Sequence, residues 1–118
     1  MKNLNLVVVG GGAGLGALLV DMAVAAGAAG IGVIDIDAAA AEAALASAKA
    51  RGLPSVAVGC DIRTAPASHA AFRKVAEVLG RVDTLINSAA IYPRRPTLGV
   101  TDEDWDLSNA VNIKGTYH

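Results

Sequence analysis

The chain contains 118 residues, of which 53% are apolar and 18% charged, with a formal net charge of -1. This length fits one domain, and a mean hydropathy of +0.46 excludes a disordered chain. The 10 basic residues are balanced by 11 acidic ones without a basic run, which argues against a nucleic-acid partner. One cysteine, Cys60, excludes a disulfide scaffold, and together with His69 and His118 it forms no metal-ligand cluster.

A long apolar segment near the beginning of the chain raises the alternative of a secretion signal or membrane span. From Leu6 to Ile34 the only charged residue is Asp21. However, five glycines between positions 10 and 16 interrupt the segment where a hydrophobic helix should be strongest. We therefore expect a soluble, cytoplasmic domain without a membrane partner.

Strand and helix patterns alternate along the whole chain. Short Val-rich runs predict strands that are buried on both faces of a parallel sheet, and the stretches between them are good helix formers. In chain order we predict a strand at 4–9, a helix at 15–26 closed by Gly27, a strand at 31–36, a helix at 38–51 capped by Asp37, a strand at 55–60, a helix at 64–80, a strand at 82–87, a loop at 92–100 and a helix from Thr101. This order predicts an α/β fold, a three-layer Rossmann-type doubly wound sheet, in one domain over residues 1–118.

A glycine-rich loop, which reads VGGGAGLG from Val9 to Gly16, joins the first strand to the first helix. Glycines allow the backbone to turn tightly and approach phosphates, and the helix N-terminus offers partial positive charge. Asp35 follows 19 residues after Gly16, at the end of the second strand, where a carboxylate can accept hydrogen bonds from adenosine ribose hydroxyls. The pattern predicts a dinucleotide site; a tight turn followed by an ordinary strand-end Asp is the structural alternative.

The glycine spacing and three later motifs resemble the N-terminal half of the classical short-chain dehydrogenases/reductases. Gly10, Gly14 and Gly16 match that family's TGxxxGxG spacing, with Val9 in place of Thr. The later motifs are Asp61-Ile62, similar to the family's Asp-hydrophobic pair, Asn87-Ser88-Ala89-Ala90, similar to its Asn-Asn-Ala-Gly, and the segment 111–116, which contains Asn112 at the position of the family's active-site Asn.

The resemblance implies a role for each of these residues. The pyrophosphate would be held by Gly10, Gly12, Ala13, Gly14, Leu15 and Gly16, the adenosine half by Asp35, Ile36, Asp61 and Ile62, and the nicotinamide-side ribose by Asn87, Ser88 and Ala89. Asn112 would be the catalytic residue present in this chain. The implied strand order is 3-2-1-4, with the ligand in the crevice between the first and fourth strands.

The implied activity is NAD(P)-dependent hydride transfer between an alcohol and a carbonyl compound, a small-molecule substrate, in an intact protein that is a homo-oligomer. We expect NAD and not NADP, because no Lys or Arg occurs between Lys2 and Lys49 and Asp35 would repel a 2′-phosphate. Two alternatives stay open. One is an S-adenosylmethionine-dependent methyltransferase, although its usual acid before the glycine loop is missing from 7–9; the other is a non-catalytic nucleotide-binding module.

One part of the family's chemistry is missing from these residues. Relatives carry a Tyr-x-x-x-Lys pair, whose tyrosine is the acid/base, whereas neither Tyr92 nor Tyr117 has a lysine four residues later. We therefore interpret the chain as a truncated or fragmentary sequence that is inactive by itself. Arg94 and Arg95 are interpreted as a solvated loop pair, with contact to an anionic substrate as the alternative.

Overall fold

A computed structural model describes residues 2–118 and shows alternating strands and helices. The strands are β1 (Asn5–Val9), β2 (Gly30–Asp35), β3 (Ser55–Gly59) and β4 (Thr84–Asn87). The helices are α1 (Gly14–Ala25), α2 (Ala38–Ala44), α3 (Ala46–Ala50), α4 (Ala65–Leu79), α5 (Asp102–Asn109) and α6 (Gly115–Tyr117), with a 3₁₀ turn at Thr97–Gly99 and a π-helical segment, Ala110–Lys114, between α5 and α6.

The four strands form one parallel sheet in the order β3-β2-β1-β4, which confirms the predicted doubly wound sheet. β1 lies in the interior, and its Val8 is in register with Val33 of β2 and with Ile86 of β4. Because the strand order reverses direction at β1, the carboxyl ends of β1 and β4 open a crevice between them, the usual ligand position in such sheets.

Helices cover both faces of the sheet and so explain the continuous apolar runs of the central strands. Side chains alternate between the faces along β1. Leu6 and Val8 pack into a core with residues of α1, α2 and α3, whereas Val7 and Val9 pack into a second core with residues of α4. All four side chains are at most 5% exposed, as expected for a strand that is buried on both sides.

The single helix predicted over 38–51 was wrong, because Leu45 divides it into α2 and α3. The backbone of Leu45 has a ψ of 2°, and its N–H donates to the carbonyl of Glu42 at 3.2 Å, a tighter turn than the α-helical one. Leu45, Ala41 and Ala48 are nevertheless fully buried in the same core. The buried apolar face therefore continues across the break with helical spacing, although the backbone turns more tightly at Leu45.

Side chains cap the starts of α2 and α5, as predicted for Asp37, but not the start of α4. The Asp37 carboxylate accepts the N–H groups of Ala39 and Ala40, each at 3.0 Å, and Thr101 forms a capping box with Asp104. The side chain of Thr64, by contrast, makes no cap hydrogen bond. Within residues 2–118, none of the helices is both long enough and apolar enough to cross a membrane.

We expect the 118-residue polypeptide by itself to self-associate. Among the described residues no strand pairs with the outer side of β4, and the side chain of Leu85 on that strand is 54% exposed. In sedimentation velocity at tens of micromolar, L85K should shift the population toward monomer because a charged edge strand resists pairing. L98K, at the fully exposed 3₁₀ turn, is the matched control and should have no such effect. A sharp monomer in the unmodified chain would contradict the prediction.

Candidate functional site

A cavity of about 740 Å³ lies at the carboxyl ends of the strands, between the glycine-rich loop and the loop that follows β4. It is lined by ten of the residues that the sequence predicted, namely Gly10, Ala13, Gly14, Leu15, Asp35, Ile36, Asp61, Ile62, Ser88 and Ala89. The other four, Gly12, Gly16, Asn87 and Asn112, are not part of its wall. The structure therefore brings the residues of four separate motifs to one crevice.

Two of the loop glycines are required by close backbone packing. Gly10 has a φ of +72°, and a Cβ at this position would lie 2.6 Å from the Cα of Ala89 in the loop after β4. A Cβ at Gly16 would collide with the carbonyl oxygen of Gly10. These contacts hold the turn of β1 against both the start of α1 and the end of β4. Side-chain atoms have no room at either contact.

The first turn of α1 presents free backbone N–H groups to the cavity. Its N-cap residue is Ala13, which makes no side-chain cap hydrogen bond, and no acidic side chain occupies the first turn. Ala13, Gly14 and Leu15 all line the cavity. Uncapped N–H groups together with the partial positive charge of the helix end form a suitable cradle for a pyrophosphate.

Asp35 joins the glycine-rich loop to the start of α2. One carboxylate oxygen accepts the N–H of Gly12 at 2.8 Å, and the other accepts the N–H of Asp37 at 3.0 Å. Gly12 is therefore a contact of Asp35 and not of the cavity, and a Cβ there would lie 2.9 Å from that carboxylate. Each carboxylate oxygen keeps a second acceptor site, so Asp35 retains the capacity to bind ribose hydroxyls.

Asp61 forms an ion pair with Arg63 at the β3 side of the cavity. The Nε of Arg63 donates to the carboxylate at 2.9 Å, and the Arg63 backbone N–H donates to it at 3.0 Å. Hydrogen bonds from the Arg63 side chain and backbone lower the pKa of Asp61 by stabilising its carboxylate. In contrast, burial raises the pKa of the neighbouring Cys60 thiol, as expected for a packed side chain and not for a nucleophile.

Asn112 supports the loop after β4. Its side-chain amide accepts the N–H of Ile91 at 2.9 Å and donates to the Ile91 carbonyl at 2.6 Å. Ile91 lines the cavity, whereas Asn112 belongs to the π-helical segment and does not. In this geometry the side chain predicted as catalytic is hydrogen-bonded to a residue of the cavity wall, and its catalytic role stays a prediction.

Thr116 is a functional candidate that the sequence reasoning missed. Its hydroxyl accepts the side-chain N–H of Asn87 at 2.9 Å and donates to the Asn112 carbonyl, also at 2.9 Å. Asn87 in turn accepts the Ala89 N–H at 3.0 Å. The spacing of four residues between Asn112 and Thr116 was the available signal, because a helical Thr often bonds to the carbonyl one turn earlier.

The described residues hold no group of three or more His, Cys, Asp or Glu side chains that could bind a metal ion. The polar groups that line the cavity instead include backbone N–H groups as donors, two carboxylates as acceptors and the guanidinium of Arg94. A profile of the short chain dehydrogenase family matches residues 5–118. This chain belongs to the short-chain dehydrogenase family. The methyltransferase alternative is therefore wrong.

Similar proteins support the same assignment. The probable galactose dehydrogenase GalD of Rhizobium meliloti is 34% identical over 114 residues, which cover 97% of this chain and 44% of the relative. Short-chain reductase protein NovJ of Streptomyces niveus is 39% identical over 71 residues, 60% of this chain and 25% of that protein. The short-chain dehydrogenase chain thus spans less than half the length of these relatives.

Solved structures show the same fold. A short-chain dehydrogenase/reductase from Serratia marcescens has a TM-score of 0.87 at 27% identity, over 98% of this chain and 47% of its own. A Burkholderia cenocepacia protein with bound NADP has a TM-score of 0.89 at 24% identity, over 98% and 45% of the two chains. The cofactor class of the short-chain dehydrogenases is NAD(P), and these relatives give no support to NAD over NADP.

We expect G16A to impair nucleotide binding by this short-chain dehydrogenase. The new methyl group would meet the Gly10 carbonyl and displace the loop, at a cost in unfolding free energy of about 3 kcal/mol, the upper end for overpacking. G52A is the matched control, because Gly52 has a φ of +66° but no atom near its Cβ position, and it should cost about 1 kcal/mol from backbone strain alone. Chemical denaturation and NADH fluorescence titration of the whole protein would measure both effects. Equal NADH affinity in the two variants would contradict the expectation.

Proposed function

We propose that these residues are the dinucleotide-binding part of an NAD(P)-dependent oxidoreductase, which transfers hydride between the nicotinamide and an alcohol or carbonyl substrate. The observation that carries the proposal is the cavity in which the glycine-rich loop, Asp35 and the loop after β4 meet. The coenzyme supplies the hydride chemistry, and the chain supplies binding and orientation.

Each part of a dinucleotide has a matching group of residues in the cavity wall. The free N–H groups of Ala13, Gly14 and Leu15 would hold the pyrophosphate at the start of α1. Asp35, at the end of β2, would accept the adenosine ribose hydroxyls, with Ile36, Asp61 and Ile62 around the adenine. On the other side of β1, Ser88 and Ala89 would border the nicotinamide-side ribose, supported from behind by Asn87.

Charge at the adenosine end favours NAD within this proposal. A 2′-phosphate would meet the carboxylate of Asp35, and no Lys or Arg of the described residues lines the cavity beside β2 or β3. Arg63, the nearest base to that end in the sequence, has its guanidinium paired with Asp61. A phosphate would have to break this pair to gain a cation.

The names of the relatives support a substrate class. The relatives that match include a D-threitol dehydrogenase and a galactitol 2-dehydrogenase, beside GalD. We therefore infer a small polyhydroxylated alcohol or carbonyl compound as the substrate class. The cytoplasmic location and the homo-oligomeric state stay predictions from the sequence.

The cofactor proposal is tested with D35N in the whole protein. We expect the native protein to bind NAD more tightly than NADP by about 5- to 150-fold, and D35N to lose most of that ratio because the repelling charge is gone. D37N is the matched control: Asp37 caps α2 without lining the cavity and Asn is an equally good N-cap, so the variant removes a charge near this site, changes stability little and should keep the ratio. Equal affinities for NAD and NADP in the native protein would contradict the preference for NAD, and the absence of binding to either would contradict the proposed function.

The 118-residue polypeptide should bind NADH without catalysing hydride transfer. Hydride transfer requires an acid/base at the substrate oxygen, and an amide such as Asn112 does not titrate. We expect no detectable NADH production from a panel of alcohols, sugars and hydroxysteroids, measured beside NADH fluorescence titration of the same sample. Activity that persists through repurification and disappears in N112A would show that residues interpreted here as structural form the active site.

A further inference from the structure

The cavity wall contains three charged side chains, and only one of them is without a partner. Asp35 accepts two backbone N–H groups, and Asp61 is paired with Arg63. The third, Arg94, lines the same cavity, yet no carboxylate within residues 2–118 forms an ion pair with it. An unpaired guanidinium at the wall of a binding cavity is available for an anion from solution.

Arg94 lies at the end of the cavity opposite the adenosine site. β2, which carries Asp35, and β4, whose following loop carries Arg94, are on opposite sides of β1. A dinucleotide with its pyrophosphate at the glycine-rich loop and its adenosine at Asp35 therefore extends its reactive half toward the loop after β4. Arg94 is thus placed on the side where the substrate would meet the nicotinamide.

The loop that carries Arg94 is held by contacts on both sides of it. Asn112 binds the N–H and the carbonyl of Ile91, and the Nε of Arg95 lies 3.0 Å from the carboxylate of Asp104 in the capping box of α5. The backbone φ angles of Pro93 and Pro96 are restricted by their rings. The two adjacent arginines therefore differ: Arg95 attaches the loop to α5, and Arg94 remains free at the cavity.

We propose that Arg94 binds an anionic group of the substrate, so that the enzyme acts on a polyhydroxy compound that carries a carboxylate or a phosphate. A guanidinium forms two parallel hydrogen bonds to either group, which gives both charge and orientation. Tyr92, also in the cavity wall and 71% exposed, offers an aromatic surface for the carbon chain beside it. This inference rests on the proposed function and narrows its substrate class.

The test compares compounds with the same carbon chain that carry a hydroxyl, a carboxylate or a phosphate at one end. In the whole protein, galactitol, galactonate and galactitol 1-phosphate are assayed with NAD in the native enzyme and in R94Q. We expect a higher kcat/KM for one of the two anions than for galactitol, and in R94Q a fall of about 10- to 100-fold in the ratio of anionic to neutral kcat/KM. The carboxylate and phosphate arms identify which anion is preferred. R94K should retain part of the preference.

The matched control is R95Q, which removes the neighbouring arginine at the Asp104 contact. It should lower stability without abolishing the ratio of anionic to neutral kcat/KM.

Two results with R94Q would overturn the inference. One is a ratio of anionic to neutral kcat/KM equal to that of the native enzyme. The other is weaker NADH binding, which would show that Arg94 binds the coenzyme. Calorimetric titration of the NADH complex with the two anions provides a readout independent of turnover, and no binding of either would also overturn it. Failure of the native protein to bind NADH would instead contradict the proposed function.

Discussion

The turn that follows β1 packs against the turn that follows β4 with no space for a side chain, and the site depends on this contact. The N–H of Ser88 donates to the Val9 carbonyl at 2.8 Å, and the N–H of Gly10 donates to the Ile34 carbonyl at 2.7 Å. Gly10 then meets the backbone of Ala89 in a conformation with positive φ. The carboxyl ends of β1, β2 and β4 are therefore aligned with one another, and the cavity opens directly beyond them.

Polar side chains hold the loops around this contact, although few of them enter the cavity. Asp35 fastens the glycine-rich loop from the β2 side, and Asn112 fastens Ile91 from the α5 side. Thr116 joins Asn87 to the π-helical segment, where an extra residue in the turn changes the direction of the following side chains. Each amide and carboxylate has several partners, as required for polar groups that define one loop conformation.

The charges of the site are separated along the crevice. The carboxylates of Asp35 and Asp61 lie toward β2 and β3, and the guanidinium of Arg63 partly neutralises the second of them. The positive end of α1 lies in the middle, and Arg94 lies beyond β1. A ligand with hydroxyl groups at one end and phosphates at the centre matches the first two regions, which is the order of groups in an adenine dinucleotide.

The sequence by itself determined the strands and the residues of the glycine-rich loop, because each of these depends on local patterns, whereas the strand order was implied by the resemblance to a family. Val-rich runs, glycine spacing and the acid at the end of β2 act over a few residues or one βαβ unit. The sequence did not reveal the break at Leu45, since the residues around it are good helix formers and the buried ones keep helical spacing across it. The contacts from Asn112 to Ile91 and from Asn87 to Thr116 span 21 and 29 residues, and no local pattern at either residue predicts its partner.

Arg94 and Arg95 are adjacent arginines, and the sequence gives no reason to assign them different roles. Only the tertiary structure, by placing Asp104 within reach of Arg95, decided which of the two is neutralised and which remains free at the cavity.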